Sequence, residues 1–265
     1  MKLLTINCHS WQEDNQMEKI QTLANTIHEN QYDVIALQEV SQKEDAPIMH
    51  KPIKEGNYAA VVVEKLHELG SKQYQFFWDC AHMAFDVYEE GIAIITKHPI
   101  EQIKTHVLTK SNDVRFWKTR IGLQADILIQ DKFYSFFSCH LGWWHDEEEP
   151  AKYQMDQLMH AVNKDHHVFL MGDFNNEAQK RAEGYDYLTS NGWHDTYTLA
   201  EEKDEGTTVS GNIAGWETNK SDKRIDFIFT NCENGVRLSN VIFNGRNKAI
   251  ISDHYGVEVI IDSKS

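Results

Sequence analysis

Basic residues are the scarce class in this sequence: 26 Lys and Arg stand against 41 Asp and Glu, a formal net charge of −15 with histidine neutral. Proteins that hold duplex nucleic acid do so largely by setting Lys and Arg against phosphates and releasing counterions. A chain this acidic has no whole-molecule attraction to DNA. Cysteine is thin as well. Cys8, Cys80, Cys139 and Cys232 are scattered without any C-x-x-C spacing, which argues against a zinc site and fits reduced thiols. Long apolar runs are missing too: none approaches the roughly 18 residues that span a bilayer. No apolar stretch of about 7–15 residues follows Lys2, as a secretory signal would require. The expectation is a cytoplasmic protein with no transmembrane segment and no protein partner that the sequence identifies.

What the chain does have is a core's worth of apolar residues. With 265 residues, 41% hydrophobic and 25% charged, it suits one α/β domain over residues 1–265. Strand and helix patterns alternate. Lys2–Asn7 reads as a strand, and 15–30 as a helix with Met17, Ile20, Leu23, Ala24 and Ile27 on one face. Asp33–Val40 is an apolar run closed by polar residues, the pattern of a strand buried on both sides. Residues 51–69 include a helix ending at Gly70. Strands are expected at 74–85, 91–96, 103–109, 120–130 and 133–140, with Gln130-Asp131-Lys132 as a hairpin turn. A helix over 150–164, led by four acids that suit its positive end, precedes a strand at 167–171. A short helix at 184–191 and late strands at 223–230 and 256–261 complete the pattern.

Several apolar strands run out and stop at an acid, amide or histidine: Ile6-Asn7, Leu37-Gln38-Glu39, Ser138-Cys139-His140 and Met171-Gly172-Asp173-Phe174-Asn175. Ser252-Asp253-His254 leads into another strand, and Asp226 lies inside Arg224-Ile225-Asp226-Phe227-Ile228. Strand ends are rigid, and α/β folds gather reactive groups there. Carboxylate and amide oxygens suit hard Mg²⁺ or Mn²⁺ better than zinc. Each piece also has a plain reading. Asn7 ends a strand, Glu39 is a solvated loop carboxylate, Asp173 and Asn175 form an Asx-turn, and Asp226 pairs with Arg224 or Lys223.

Taken in order, Asn7, Glu39, His140, Gly172-Asp173-Phe174-Asn175, Arg224-Ile225-Asp226 and Ser252-Asp253-His254 resemble the endonuclease/exonuclease/phosphatase superfamily over nearly the whole chain. That resemblance implies a four-layer α/β sandwich of the DNase I-like kind, two mixed β-sheets face to face with helices outside. It implies a Mg²⁺-dependent phosphoesterase, with Mn²⁺ as the alternative ion. Glu39 would be the principal metal ligand, with Asn7 and Asp253 nearby. Asp173 would position or deprotonate the attacking water and Asn175 would contact the phosphate. His254, oriented by Asp226, would donate to the phosphoryl oxygens, and His140 would reach the phosphate from the other side. Glu90 would be the acid paired with His140. Arg120 begins a strand where similar proteins place a phosphate-contacting base; its plain reading is an exposed edge arginine.

The loop after His140 carries Trp143, Trp144 and then Asp146, Glu147, Glu148 and Glu149. Either it rims the site, offering aromatic surface and repelling polyanions, or the tryptophans pack inward and the acids solvate the helix start. Phe76-Phe77-Trp78 through His82, and the segment 211–216, are further expected site walls. The substrate expected from these features is a small phosphodiester or phosphomonoester, a phospholipid headgroup, sugar phosphate or nucleotide, with duplex DNA disfavoured. Two alternatives remain open at this point: a nuclease acting on single strands, whose bases the tryptophans would stack, and a binding protein of the same fold without chemistry.

Overall fold

The strand ends that carry the polar residues come together because two sheets pack with their apolar faces inward and the same edge aligned. In the computed structural model, which describes residues 1–262 apart from Asn212, 214–220 and Asn234, the first half of the chain runs β1 (Lys2–Asn7), α1 (Gln16–Asn30), β2 (Val34–Lys43), β3 (Ile48–His50), β4 (Ile53–Lys54), α2 (Tyr58–Glu68), β5 (Gln75–Ala84), β6 (Tyr88–Thr96), β7 (Ile100–Val107), β8 (Ile121–Ile129) and β9 (Lys132–His140). The second half runs α3 (Ala151–Ala161), β10 (His167–Asp173), α4 (Gly184–Ser190), β11 (His194–Asp195), α5 (Thr196–Leu199), β12 (Glu202–Lys203), β13 (Asp226–Thr230), β14 (Val236–Ile242) and β15 (Gly256–Ile261).

One sheet has the order β12-β14-β15-β1-β2-β6-β5 and the other β11-β13-β10-β9-β8-β7; each mixes parallel and antiparallel neighbours. Leu3, Val34, Ile94 and Val259 of the first sheet meet Ile127, Phe136, Phe169 and Met171 of the second in one intersheet core. The alternate residues face outward. Leu4, Ile35 and Leu37 are covered by Ile20, Leu23 and Ile27 of α1 and Val62 and Leu66 of α2. Val168 and Leu170 are covered by Met155 and Leu158 of α3 and Leu188 of α4. Burial on both faces is why the central strands carry runs of successive apolar residues rather than an alternation. The result is the expected four-layer α/β sandwich.

Local chemistry explains the boundaries. Gln130 and Asp131, both at positive φ (50° and 61°), form the two-residue turn that pairs Ile129 with Lys132. Met17 is 50% exposed, since α1 begins at Gln16 and its packed face starts one turn later at Ile20. β14 was not expected from the sequence; a bulge between Val236 and Leu238 interrupts its two-residue period. No helix among the described residues is long and apolar enough to cross a membrane.

At the edge opposite the site, Asp33 ties three elements together: it accepts from the Lys2 N–H (2.7 Å) and meets His98 Nε2 (2.7 Å) and Lys97 Nζ (3.2 Å). Burial alone would raise its pKa. The His98, Lys2 and Lys97 contacts outweigh burial and hold it at about 2, below the usual 3.8. A depressed carboxyl stabilises the fold above its unfolded pKa and loses that contribution as pH falls through the folded value. Asp33→Asn should therefore cost about 1–2 kcal/mol at pH 7, allowing for solvent screening, and the difference from the parent should vanish between about pH 4 and 2. Urea unfolding across that range reads it, and a pH-independent difference would show that the charge is not responsible.

Candidate active site

Strand register does most of the assembly. Asp173 ends β10 directly opposite His140 of β9 on one side and Asp226 of β13 on the other. Asn7 ends β1, and β2 beside it breaks register between Leu37 and Val40, where Glu39 takes a positive φ of 50°. The Ser252 hydroxyl donates to the Asn7 carbonyl (2.7 Å) and so brings the Asp253–His254 turn to the same edge.

Asn7 Nδ2 donates to Glu39 Oε1 (2.9 Å) and to Asp173 Oδ2 (3.1 Å), joining the two sheets. Its Oδ1 accepts from the His9 N–H (3.1 Å). Between the Glu39 and Asp173 carboxylates the amide turns its donor inward. His254 Nδ1 lies 3.0 and 3.1 Å from the two Asp226 oxygens, and His254 Nε2 lies 3.7 Å from Asp173 Oδ2. Asp226 therefore pairs with His254. Arg224 and Lys223, its expected local partners, go instead to Asp195 (2.6 Å) and Glu177 (2.7 Å). His140 Nε2 approaches the same Asp173 oxygen at 3.7 Å, Glu39 at 3.9 Å and Asn175 Nδ2 at 3.3 Å.

Electrostatics separates the two histidines. Burial opposes charge on both. At His254 the Asp226 and Asp173 carboxylates overcome it and hold the imidazolium well above the ordinary pKa. At His140 burial is reinforced by Arg120, His82 and His254, so its imidazole stays neutral and its carboxylate contacts are dipolar rather than ionic. Burial and then Asp226 lift Asp173 to about 7, against the pull of His254. Burial and then Asp253 raise Glu39. Such an excess of buried carboxylates over cations is what a hard divalent ion fits.

Glu90 departs from expectation. The β5–β6 pairing sets it opposite His82, and His82 Nε2 lies 3.4 Å from Glu90 Oε1. Its partner is His82 rather than His140. Burial and then Glu39 push Glu90 up to about 8, while burial and Arg120 push His82 down to about 3. Arg120 is 4% exposed, so the edge-arginine reading fails. Its Nη1 donates to the Trp117 (2.8 Å) and Thr119 (3.1 Å) carbonyls, and its buried Nε has no acceptor among the described residues.

These groups floor a cleft of about 440 Å³ that Glu39, Glu90, Arg120, His140, Asp173 and His254 line together. Trp143 is in its wall; Trp144 is not, and packs on Tyr187 with ring centroids 5.7 Å apart. The acids beside them do not rim the site. Asp146 and Glu148 hold Lys118 (2.6 and 2.8 Å), and Glu149 caps the Lys110 and Ser111 N–H groups (2.8 and 2.9 Å). Trp78 also turns inward and donates to the Val40 carbonyl (2.7 Å), leaving His82 as that segment's contribution. Of the expected wall at 211–216, only Gly211 and Ile213 lie within the described residues. The sequence reading missed His9, Gln12, Met83, Phe85 and Trp117, which also line the cleft. Only the aromatic of Phe116-Trp117 between basic neighbours offered a signal, and an irregular loop gives it no period to stand out against.

Among the described residues, two groups of side chains bring their ligand atoms within 4.8 Å of one another: His9–Glu13–Asp253 and Asp173–Asp226–His254. In the second, the imidazolium of His254 repels a cation, and hydrogen bonding accounts for the cluster. Asp253 belongs to the first, and its charge acts on Glu39, so these two carboxylates are the pair best suited to an ion.

Comparison with known proteins agrees with this geometry. The sequence profile of the Endonuclease/Exonuclease/phosphatase family matches residues 4–254. Among solved structures, an endonuclease/exonuclease/phosphatase family protein from Leptotrichia buccalis C-1013-b superposes with a TM-score of 0.94 at 41% identity, covering 99% of this chain and 100% of that one. A mannosyl-6-phosphatase from Bacteroides thetaiotaomicron VPI-5482 is similar in fold at 17% identity, with a TM-score of 0.73 over 99% of this chain and 100% of that one. Truncated TDP2 from Caenorhabditis elegans is similar at 14% identity, with a TM-score of 0.67 over 99% and 97%. A search of curated proteins returns no match. With the family profile and a 41% identical relative both spanning nearly its full length, the chain belongs to the endonuclease/exonuclease/phosphatase family, a family of phosphoester hydrolases.

Proposed function

We propose that the protein is a Mg²⁺-dependent phosphoesterase, with Mn²⁺ as a substitute, acting as one cytoplasmic domain on a small phosphodiester or phosphomonoester rather than on duplex DNA. The observation that carries this reading is the convergence on Asp173 Oδ2 of Asn7 (3.1 Å), His140 (3.7 Å) and His254 (3.7 Å) at the floor of an open cleft. Glu39 and Asp253 would hold the ion, with Asn7 fixing Glu39 in place. When bound, the ion supplies Lewis-acid neutralisation of the phosphoryl oxygens.

The chain's own residues account for the rest. Asp173, held near neutrality, orients water and takes its proton. The Asn175 amide and neutral His140 offer hydrogen bonds to the phosphate. His254, charged and fixed by Asp226, donates a proton or hydrogen bond to the oxygen that gains charge as the ester bond breaks. Arg120, which lines the cleft, adds the fixed positive charge that phosphoryl transfer requires. The net charge of −15 supports a small substrate over a polyanion.

Purified protein should release p-nitrophenol from bis-p-nitrophenyl phosphate with Mg²⁺ or Mn²⁺, and EDTA should abolish the release. No turnover with either ion on diester or monoester substrates sinks the proposal. Rapid nicking of plasmid at physiological salt would instead overturn the preference against duplex DNA.

A further inference from the structure

The cleft has two unlike sides. Its floor is ionic, whereas one flank is apolar: Met83, Ala84 and Phe85 at the end of β5 face Trp117 and Trp143 from two loops. Phe85 is 71% exposed and Trp117 51% exposed, although large aromatic rings are ordinarily covered. Neither is a frayed side chain. The Met83 N–H donates to the Val114 carbonyl (2.6 Å), which joins the strand end to the 110–119 loop. That loop is fastened in turn by Arg120 Nη1 on the Trp117 carbonyl (2.8 Å), by Lys118 on Asp146 and Glu148 (2.6 and 2.8 Å), and by Glu149 on the Lys110 and Ser111 N–H groups (2.8 and 2.9 Å). The acidic run thus holds an exposed tryptophan at the mouth of the site. Trp117 and Trp143 lie 6.2 Å apart at 58°, an open corner rather than a closed stack, and Trp143 Nε1 is buried without an acceptor among the described residues.

We propose that this flank selects phosphoesters bearing one planar, apolar substituent, a nucleoside base or an aryl ring, seated against Trp117, Phe85 and Met83. The proposal rests on the phosphoesterase reading and adds the substrate class. A cleft of about 440 Å³ has room for a phosphate and one such group. A single strand needs a cationic groove along its backbone, and an anionic lipid surface needs free cations beside the apolar residues. Here the lysine next to Trp117 is held by two acids, and the chain carries −15. The choice therefore falls on a discrete small molecule.

The test compares phosphate monoesters by release of inorganic phosphate, so that no second ring competes for the flank: thymidine 5′-phosphate, phenyl phosphate and methyl phosphate. Wild type should prefer the thymidine and phenyl esters to the methyl ester. Trp117→Ala should lower that kcat/KM ratio about tenfold or more, as loss of base–aromatic stacking does. Trp117→Phe should keep most of it, and Phe133→Ala, an exposed aromatic at the β8–β9 turn, should leave the ratio alone. Preference for the thymidine ester alone assigns a nucleoside, and preference for both assigns any aromatic ring. If no ester is hydrolysed, the phosphoesterase reading fails, and calorimetric titration with thymidine 5′-monophosphate against methyl phosphate still reads the inference. Equal affinities, equal loss on all esters in Trp117→Ala, or Trp117-dependent flotation with phosphatidylcholine vesicles would each overturn it.

Discussion

Alanine in place of His254 should lower kcat by about 10²–10⁴-fold while KM changes little, because the imidazolium acts on charge that develops only as the ester breaks. His254 lies between Asp226 at 3.0 Å and Asp173 at 3.7 Å and is 4% exposed, so its imidazole is held in one position at the floor of the cleft. The wild-type pH profile follows from the same contacts. Burial lifts Asp173 to about 7, and as a base it works deprotonated, so the rate should climb as pH rises through that value. Burial disfavours charge on His254, but Asp226 and Asp173 hold its pKa well above the ordinary imidazole value. As an acid it works protonated, so its contribution is present at neutral pH and is lost only as pH rises past that elevated value. An optimum on the alkaline side is expected. Asp226→Asn removes the anchor of the imidazolium and should draw the alkaline limb toward neutrality. A merely structural defect would lower the rate without moving the limb. His254→Ala with near-normal kcat would remove this residue from the mechanism.

The second large effect is on folding. Gly172 lies one residue before Asp173, with φ at +149°, and pairs with Cys139 of β9. A Cβ there would stand 1.9 Å from the Cys139 carbonyl oxygen and 2.8 Å from its carbon, both backbone atoms that cannot swing aside. Gly172→Ala should cost about 3 kcal/mol or more, or prevent folding, because β10 would have to leave β9. Asp173 would then lose its register with His140. Gly192 makes the control: its φ is +88°, but nothing lies within 4 Å of an added Cβ, so alanine there should cost only about 1 kcal/mol. Urea unfolding of the two variants separates steric clash from backbone strain, and a Gly172→Ala protein as stable as wild type would refute the clash.

Apolar runs ending in polar residues are properties of the chain itself. They marked Asn7, His140 and Asp173 as strand ends and Asp253-His254 as the turn before one, and these stand at one edge of the two sheets; Glu39, expected to end its strand, instead lies inside β2 at the break in register between Leu37 and Val40. Double-sided burial in β2 was legible for the same reason: a central strand has no face that water tolerates, so its composition reports its place. Partners across the fold were not legible. His82 rather than His140 stands beside Glu90 because of a bulge in the β5–β6 pairing, and Asp195 takes Arg224 from a separate strand. The same holds for the two adjacent tryptophans: Trp143 faces the cleft and Trp144 faces Tyr187 because the loop between β9 and α3 packs on both. Periodicity fixes which residues share a face of one element. Which carboxylate meets which imidazole depends on register and on loops packed from distant parts of the chain, and those distances exist only once the sheets have closed on each other.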